Sequence, residues 1–192
     1  MKPALISIII AGTGNDSNLK HCLDQALSQS YANREIIVVS PLPAPPSWLQ
    51  NLAAQEKIKL SVLPKASEKD LYRAGALEAK GAYLTFQNSL EFFHQPDSLE
   101  TLLSSAEQVK SDFTISPFMN LKNKKLLYTY HEVSSIQPLN TNNCIRFAQK
   151  FESFRTLSGS LIQRQLLLDL GLDQLTTLSP FEVKLALCQH AQ

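Results

Sequence analysis

The side chains capable of chemistry in this chain are scattered along it. Cys22, Cys144 and Cys188 are odd in number, far apart and without a Cys-x-x-Cys pair. Zinc and redox motifs are therefore unsupported, and reduced, partly buried thiols of a cytoplasmic protein are the expectation. His94, His131 and His190 have no partner at metal-ligand spacing and read as surface or core histidines. Glu91 stands ahead of Pro96 as a lone carboxylate. A hard divalent cation wants several anionic oxygens, so Glu91 reads as a solvated residue before a helix. Glu182 falls in the first turn of a late helix, where a carboxylate complements the helix dipole. Lys122, Lys124 and Lys125 lie beside Asn residues and read as a solvated turn, so no nucleic-acid partner is expected.

The elements that must position these groups follow from patterning. Residues 5–10 are almost wholly apolar and rich in β-branched side chains, as in a strand covered on both faces. A turn, Gly12-Thr13-Gly14-Asn15-Asp16-Ser17, follows, with Asp16 or Ser17 as N-cap. Leu19, Cys22, Leu23, Ala26 and Leu27 recur at helical spacing. Residues 35–39 read as a second buried strand, completing a right-handed parallel unit. The proline-rich stretch from Pro41 to Pro46 must be a stiff loop. Beyond it the pattern predicts a helix over 48–55, a strand over 59–63 and a helix over 68–80 stopped by Gly81. A strand over 82–86 and a helix from Pro96 to Lys110 come next. Strands over 113–117 and 126–133, then helices over 160–170 and 181–188, complete the chain.

With 192 residues, 44% hydrophobic content, 18% charged content and a net charge of +1, the chain reads as one soluble α/β domain. No repeat or composition shift divides residues 1–192, whether they are a whole protein or the front of a longer one. No apolar run approaches the ~18 residues of a membrane span. The apolar start superficially resembles a signal peptide but lacks the usual cleavage site, so a buried first strand is expected. Ligands are expected at the carboxyl ends of the strands.

The order of segments resembles a family 2 glycosyltransferase of the GT-A type across almost the whole chain. Ile6-Ser7-Ile8-Ile9-Ile10 is similar to that family's first strand. The run from Leu23 to Tyr31, reading LDQALSQSY, is similar to its first helix end, and Glu35-Ile36-Ile37-Val38-Val39 to its second strand. Ala74 to Phe86, reading AGALEAKGAYLTF, resembles the approach to the acidic metal motif. Ser158 to Leu167, reading SGSLIQRQLL, resembles the acceptor-side segment. The resemblance implies a mostly parallel GT-A sheet flanked by helices. It also implies a donor cleft formed by Gly12, Ser40, Lys65, Arg73, Asn88, Leu90 and Glu91.

The departures fall on the chemistry the resemblance would imply. Ser40 and Pro41 stand where the family holds the nucleoside with aspartates, and proline offers neither charge nor donor. Its Asp-x-Asp falls on Asn88-Ser89-Leu90, leaving Glu91 as the carboxylate, so Mg²⁺ or Mn²⁺ is not expected. The catalytic base position maps on Ser179-Pro180, with Glu182 the surviving candidate two residues on. Lys65 or Arg73 could neutralise a diphosphate in place of a metal. Phe92, Phe93 and Tyr83 read as core or cleft lining. The expectation is a non-catalytic binding or scaffold module in glycan or polysaccharide assembly, with a nucleotide-sugar, glycan or protein partner. The alternatives are an active, metal-independent glycosyltransferase and a structural partner domain whose cleft the Pro-rich loop fills. A carboxylate projecting into the cleft beside Asn88 would favour the enzyme.

Overall fold

Strand β1 (Ile6–Ala11) is buried at every position. Ile6, Ile8 and Ile10 enter one core while Ile9 and Ala11 enter another. Successive side chains of a strand point to opposite faces, so both faces of the sheet must be covered. The computed structural model describes residues 3–115, 119–122, 125–129 and 156–190. After β1 come α1 (Asp16–Leu27), β2 (Arg34–Ser40), α2 (Ser47–Ala54), β3 (Lys59–Val62) and α3 (Glu68–Glu78). They are followed by β4 (Tyr83–Asn88), α4 (Ser98–Val109) and β5 (Phe113–Ile115). Beyond these are β6 (Met119–Lys122), β7 (Lys125–Thr129), β8 (Ser160–Gln163), α5 (Arg164–Leu170), α6 (Gln174–Thr177) and α7 (Pro180–His190).

The main sheet has the order β3-β2-β1-β4-β8-β5. Its first four strands are parallel, and β8 runs antiparallel to both β4 and β5. Strands β6 and β7 form a separate antiparallel pair. The expected mostly parallel α/β sheet is what the chain forms. Helices α1, α2 and α4 cover one face through Leu23, Leu49 and Leu103. Helices α3, α5, α6 and α7 cover the other through Leu71, Leu167, Leu175 and Leu187. Burying each such side chain stabilises the fold by about 1.5–3 kcal/mol relative to leaving it in water.

Two glycines set how closely the layers approach. A Cβ at Gly75 would stand 2.4 Å from Ile9 Cγ2, so its absence lets α3 lie directly on the sheet. A Cβ at Gly81 would stand 2.6 Å from Ser7 Oγ and 2.8 Å from the Tyr83 carbonyl oxygen. The Gly81 amide instead donates to Ser7 Oγ at 2.8 Å.

Several expectations are corrected. Residues 160–163 are strand rather than helix. Leu161, Ile162, Leu166 and Leu167 satisfy a helical period, but the first two are buried in β8, which hydrogen-bonds to neighbours on both sides. Helix α3 ends at Glu78 with Ala79 as its cap, so Gly81 is a packing residue and not a helix stop. Asn15, not Asp16 or Ser17, caps α1, its side chain accepting from the Asn18 amide at 2.9 Å. Helix α4 begins at Ser98. Pro96 lies before it, its carbonyl accepting from the Ser30 amide at 2.7 Å. Lys122 and Lys125 are paired across β6 and β7. His131, Cys144 and the predicted strand ends at 116–117 and 130–133 lie outside the described residues.

Candidate functional site

Parallel strands end together, so their carboxyl ends gather side chains that are distant in sequence. Ala11 is in register with both Val39 and Asn88. The Gly12 amide donates to the Val39 carbonyl at 2.8 Å, which brings Gly12, Ser40 and Asn88 to one edge. Ser40 is buried and its hydroxyl accepts from the Leu42 amide at 3.2 Å, turning the chain into the proline-rich loop. Lys65, exposed and with φ of 60°, lies beside that loop, its amide 3.3 Å from the Pro41 carbonyl.

Asn88 organises the turn after β4, as an Asn side chain commonly does. Its Oδ1 accepts from the Leu90 amide at 2.8 Å and its Nδ2 donates to Glu91 Oε2 at 3.0 Å. Leu90 sits at the tip with 72% exposure. The same Glu91 Oε2 also accepts from Thr156 Oγ1 and Ser158 Oγ, each at 2.6 Å. One carboxylate oxygen therefore ties the turn to the segment leading into β8.

Around this knot lie further ionisable groups. Burial, followed by the charge of Glu91, raises the Glu68 carboxyl above its ordinary range, and Asn88 offers it a hydrogen bond in the opposite sense. Burial also raises the Tyr72 phenol, reinforced by Glu68 and Glu91. The Tyr72 hydroxyl closes no hydrogen bond of good geometry, although Glu68, Asn88 and Glu91 all act on it. Cys22 is pushed up to about 12 by burial and by Glu91, so it stays a thiol, donating toward Gln87 Oε1 at 3.6 Å. Lys184 of α7 is fully buried. Desolvation brings its amine down to about 7, while Glu91 pulls in the other direction.

Of the residues expected in the cleft, Gly12, Ser40, Asn88, Leu90 and Glu91 share this edge. Arg73 is committed elsewhere, pairing with Asp173 at 2.8 Å on the surface between α3 and α6. Glu182 is exposed and closes a capping box with Ser179, accepting from its amide at 2.7 Å. Carboxylates do stand beside Asn88, those of Glu91 and Glu68.

Sequence reasoning missed Glu68, Tyr72, Thr156, Ser158 and Lys184. Only Lys184 left a signal: it shares a helix face with Cys188 one turn away, inside the apolar stripe of Val183 and Leu187. A groove of about 500 Å³ lies at the opposite end of the sheet, lined by Arg34, Glu35, Lys57 and Lys59 among others, away from this polar cluster.

No family model matches the chain, and no curated protein matches it. Solved structures do. Residues 1–349 of S. aureus TarS match over 85% of this chain and 48% of theirs, at 16% identity and a TM-score of 0.67. The same protein in complex with UDP-GlcNAc matches over 85% and 46%, at 15% identity and a TM-score of 0.59. The mannosyltransferase PcManGT from Pyrobaculum calidifontis, solved with GDP-Man and Mn²⁺, matches over 89% and 47%, at 14% identity and a TM-score of 0.59. The chain spans about half the length of these structures. Its fold is that of GT-A glycosyltransferases. Among the described residues no helix is long and apolar enough to cross a membrane.

Proposed function

We propose that the chain is a metal-independent binding or scaffold module of GT-A fold that takes a nucleotide-sugar or glycan ligand in glycan assembly and does not itself transfer sugar. The observation that carries this reading is the commitment of Glu91. At the turn where the fold's Asp-x-Asp would stand, Asn88 and Leu90 supply no charge. The remaining carboxylate accepts three internal hydrogen bonds on one oxygen. Besides Glu91, a divalent cation would find there only the partly buried Glu68, whose carboxyl burial favours in its neutral form, and no third acidic, histidine or cysteine ligand among the described residues, too few to offset its dehydration cost. The donor set therefore does not fit Mg²⁺ or Mn²⁺. Glycosyltransferase neighbours solved with UDP-GlcNAc and with GDP-Man support the ligand class. The buried Cys22 and Cys188, neither in a disulfide, support a reducing, cytoplasmic setting. A protein partner would fit the scaffold role.

A second reading is a metal-independent transferase, and Glu68 favours it. A half-buried carboxyl with raised proton affinity, beside a second carboxylate in a cleft, has the character of a general acid or base.

Calorimetric titration with UDP-, GDP-, TDP- and CMP-sugars, with and without Mn²⁺, separates the readings when paired with an assay for nucleotide release. The expected result is binding weaker than about 1 mM, unchanged by Mn²⁺, with no release. Nucleotide release that Glu68→Gln abolishes would establish the transferase. Tight Mn²⁺-dependent binding would overturn both.

A further inference from the structure

A second groove, of about 270 Å³, lies between α1 and α2 and is lined by Lys20, Asp24, Trp48, Asn51, Leu52 and Gln55. On α2, Trp48, Asn51, Leu52 and Gln55 recur at intervals of three and four and so share one face. On α1, Lys20 and Asp24 are one turn apart and line the same groove. Trp48 is half-buried: part of the indole packs on the core beneath, and the remainder lines the groove. The polar ends of Asp24, Asn51 and Gln55 are uncommitted, with no side-chain hydrogen bond or ion pair to other described residues. By contrast Gln50, outside the groove, spends its amide on the Pro45 carbonyl at 2.6 Å.

An aromatic surface edged by planar amides and a carboxylate matches a particular ligand chemistry. The C–H face of a pyranose packs on an indole, while adjacent hydroxyls pair with amide and carboxylate groups. Lys20 and Asp24 cancel in charge, which favours a neutral ring over an ionic ligand. We propose that this groove binds a neutral pyranose, seated against Trp48 and hydrogen-bonded by Asp24, Asn51 and Gln55. The site is separate from the carboxyl edge of the sheet and does not depend on the function proposed there.

Trp48 is the only tryptophan of the chain, so its fluorescence reports on the groove directly. The probes are glucose, galactose, mannose, N-acetylglucosamine and the α-1,4- and β-1,4-linked glucose dimers. At least one should give a saturable change with a dissociation constant of about 1–10 mM. Asn51→Ala and Gln55→Ala should each weaken it by about five- to tenfold, with thermal stability unchanged. Trp48→Phe, read by calorimetry, should weaken it too, and this variant keeps an aromatic ring in the core should Trp48→Ala not fold. Absence of saturation with every probe up to about 100 mM would overturn the proposal. So would saturable binding that Asn51→Ala and Gln55→Ala leave untouched, because the sugar would then sit elsewhere.

Discussion

The Ser158 hydroxyl donates to the Glu91 carboxylate at 2.6 Å, joining residues 67 positions apart in the chain. Together with Thr156 and Asn88 it makes Glu91 the knot of the candidate site. Glu91→Ala would leave three donors without their acceptor, all of them at least partly buried. The expected loss is about 1–3 kcal/mol, read as a lower urea midpoint. Glu91→Gln keeps an acceptor oxygen and should cost less. A neutral Glu91→Ala would show that the knot contributes nothing to stability.

Mn²⁺ should show no saturable binding to the wild-type chain at micromolar concentration. Substituting Asn88→Asp together with Leu90→Asp should create a weak site, with a dissociation constant on the order of 1 mM. Leu90 is exposed, so its replacement disturbs no packing. Replacing Asn88 removes a donor to Glu91 and sets two carboxylates against each other. The double variant should therefore be less stable than wild type without metal and regain stability when Mn²⁺ is added. Tight wild-type binding that Glu91→Ala removes would contradict the metal-free reading.

Lys184 couples folding to pH. Its amine is brought down to about 7 in the fold, against an ordinary value of 10.5. Between those limits the unfolded chain holds the proton and the folded chain does not, so stability rises with pH across that window. Below about 7 both states carry the charge and the burial cost is present in full. Lys184→Met removes the cost. Its stabilising effect should be largest at pH 6 and shrink toward pH 10, as read from thermal midpoints. A constant difference across that range would refute the coupling.

Glu35 acts in the opposite direction at the other end of the sheet. Burial alone would raise its carboxyl. Hydrogen bonds from Lys59, from Ser7 at 2.6 Å and from the Lys80 amide at 2.6 Å, with the Lys59 charge, outweigh burial and lower it. Such a group stabilises the fold above its unfolded pKa, and that contribution fades as pH falls through the lower folded value. Glu35→Gln should cost about 1–2 kcal/mol at neutral pH. It should also flatten the loss of stability below about pH 4.5, measured by urea unfolding at stepped pH.

The order and type of most elements were legible because they rest on local periodicity and apolar runs, as in Ile6–Ala11 and Leu19 to Ala26. Strand β8 was not, because a four-residue strand inside an apolar stripe is defined by the neighbours it bonds rather than by its own pattern. Gly81 illustrates the same limit: its position after a helix suggested a stop, whereas Ser7, 74 residues earlier, requires the missing side chain. The convergence of Gly12, Ser40 and Asn88 followed from the parallel topology. The partners of Glu91 could not be read, since Thr156 and Ser158 are ordinary hydroxyl residues until the fold brings them 65 and 67 positions back. Arg73 shows the converse, a cation apt for phosphate that the fold pairs with Asp173 100 positions later.

The antiparallel insertion of β8 between β4 and β5 carries a consequence for the order of assembly. During synthesis β1 to β4 emerge within the first 88 residues and can pair in parallel, whereas β8 arrives only after residue 160. Until then the β4 edge, with Leu84, Thr85 and Phe86 all buried in the finished fold, is a bare row of backbone donors and acceptors beside apolar side chains. Such an edge recruits foreign strands as readily as its own. A nascent chain stalled between residues 90 and 160 should thus be the form that most needs a chaperone, and the closing of β8 is the step that ends its exposure.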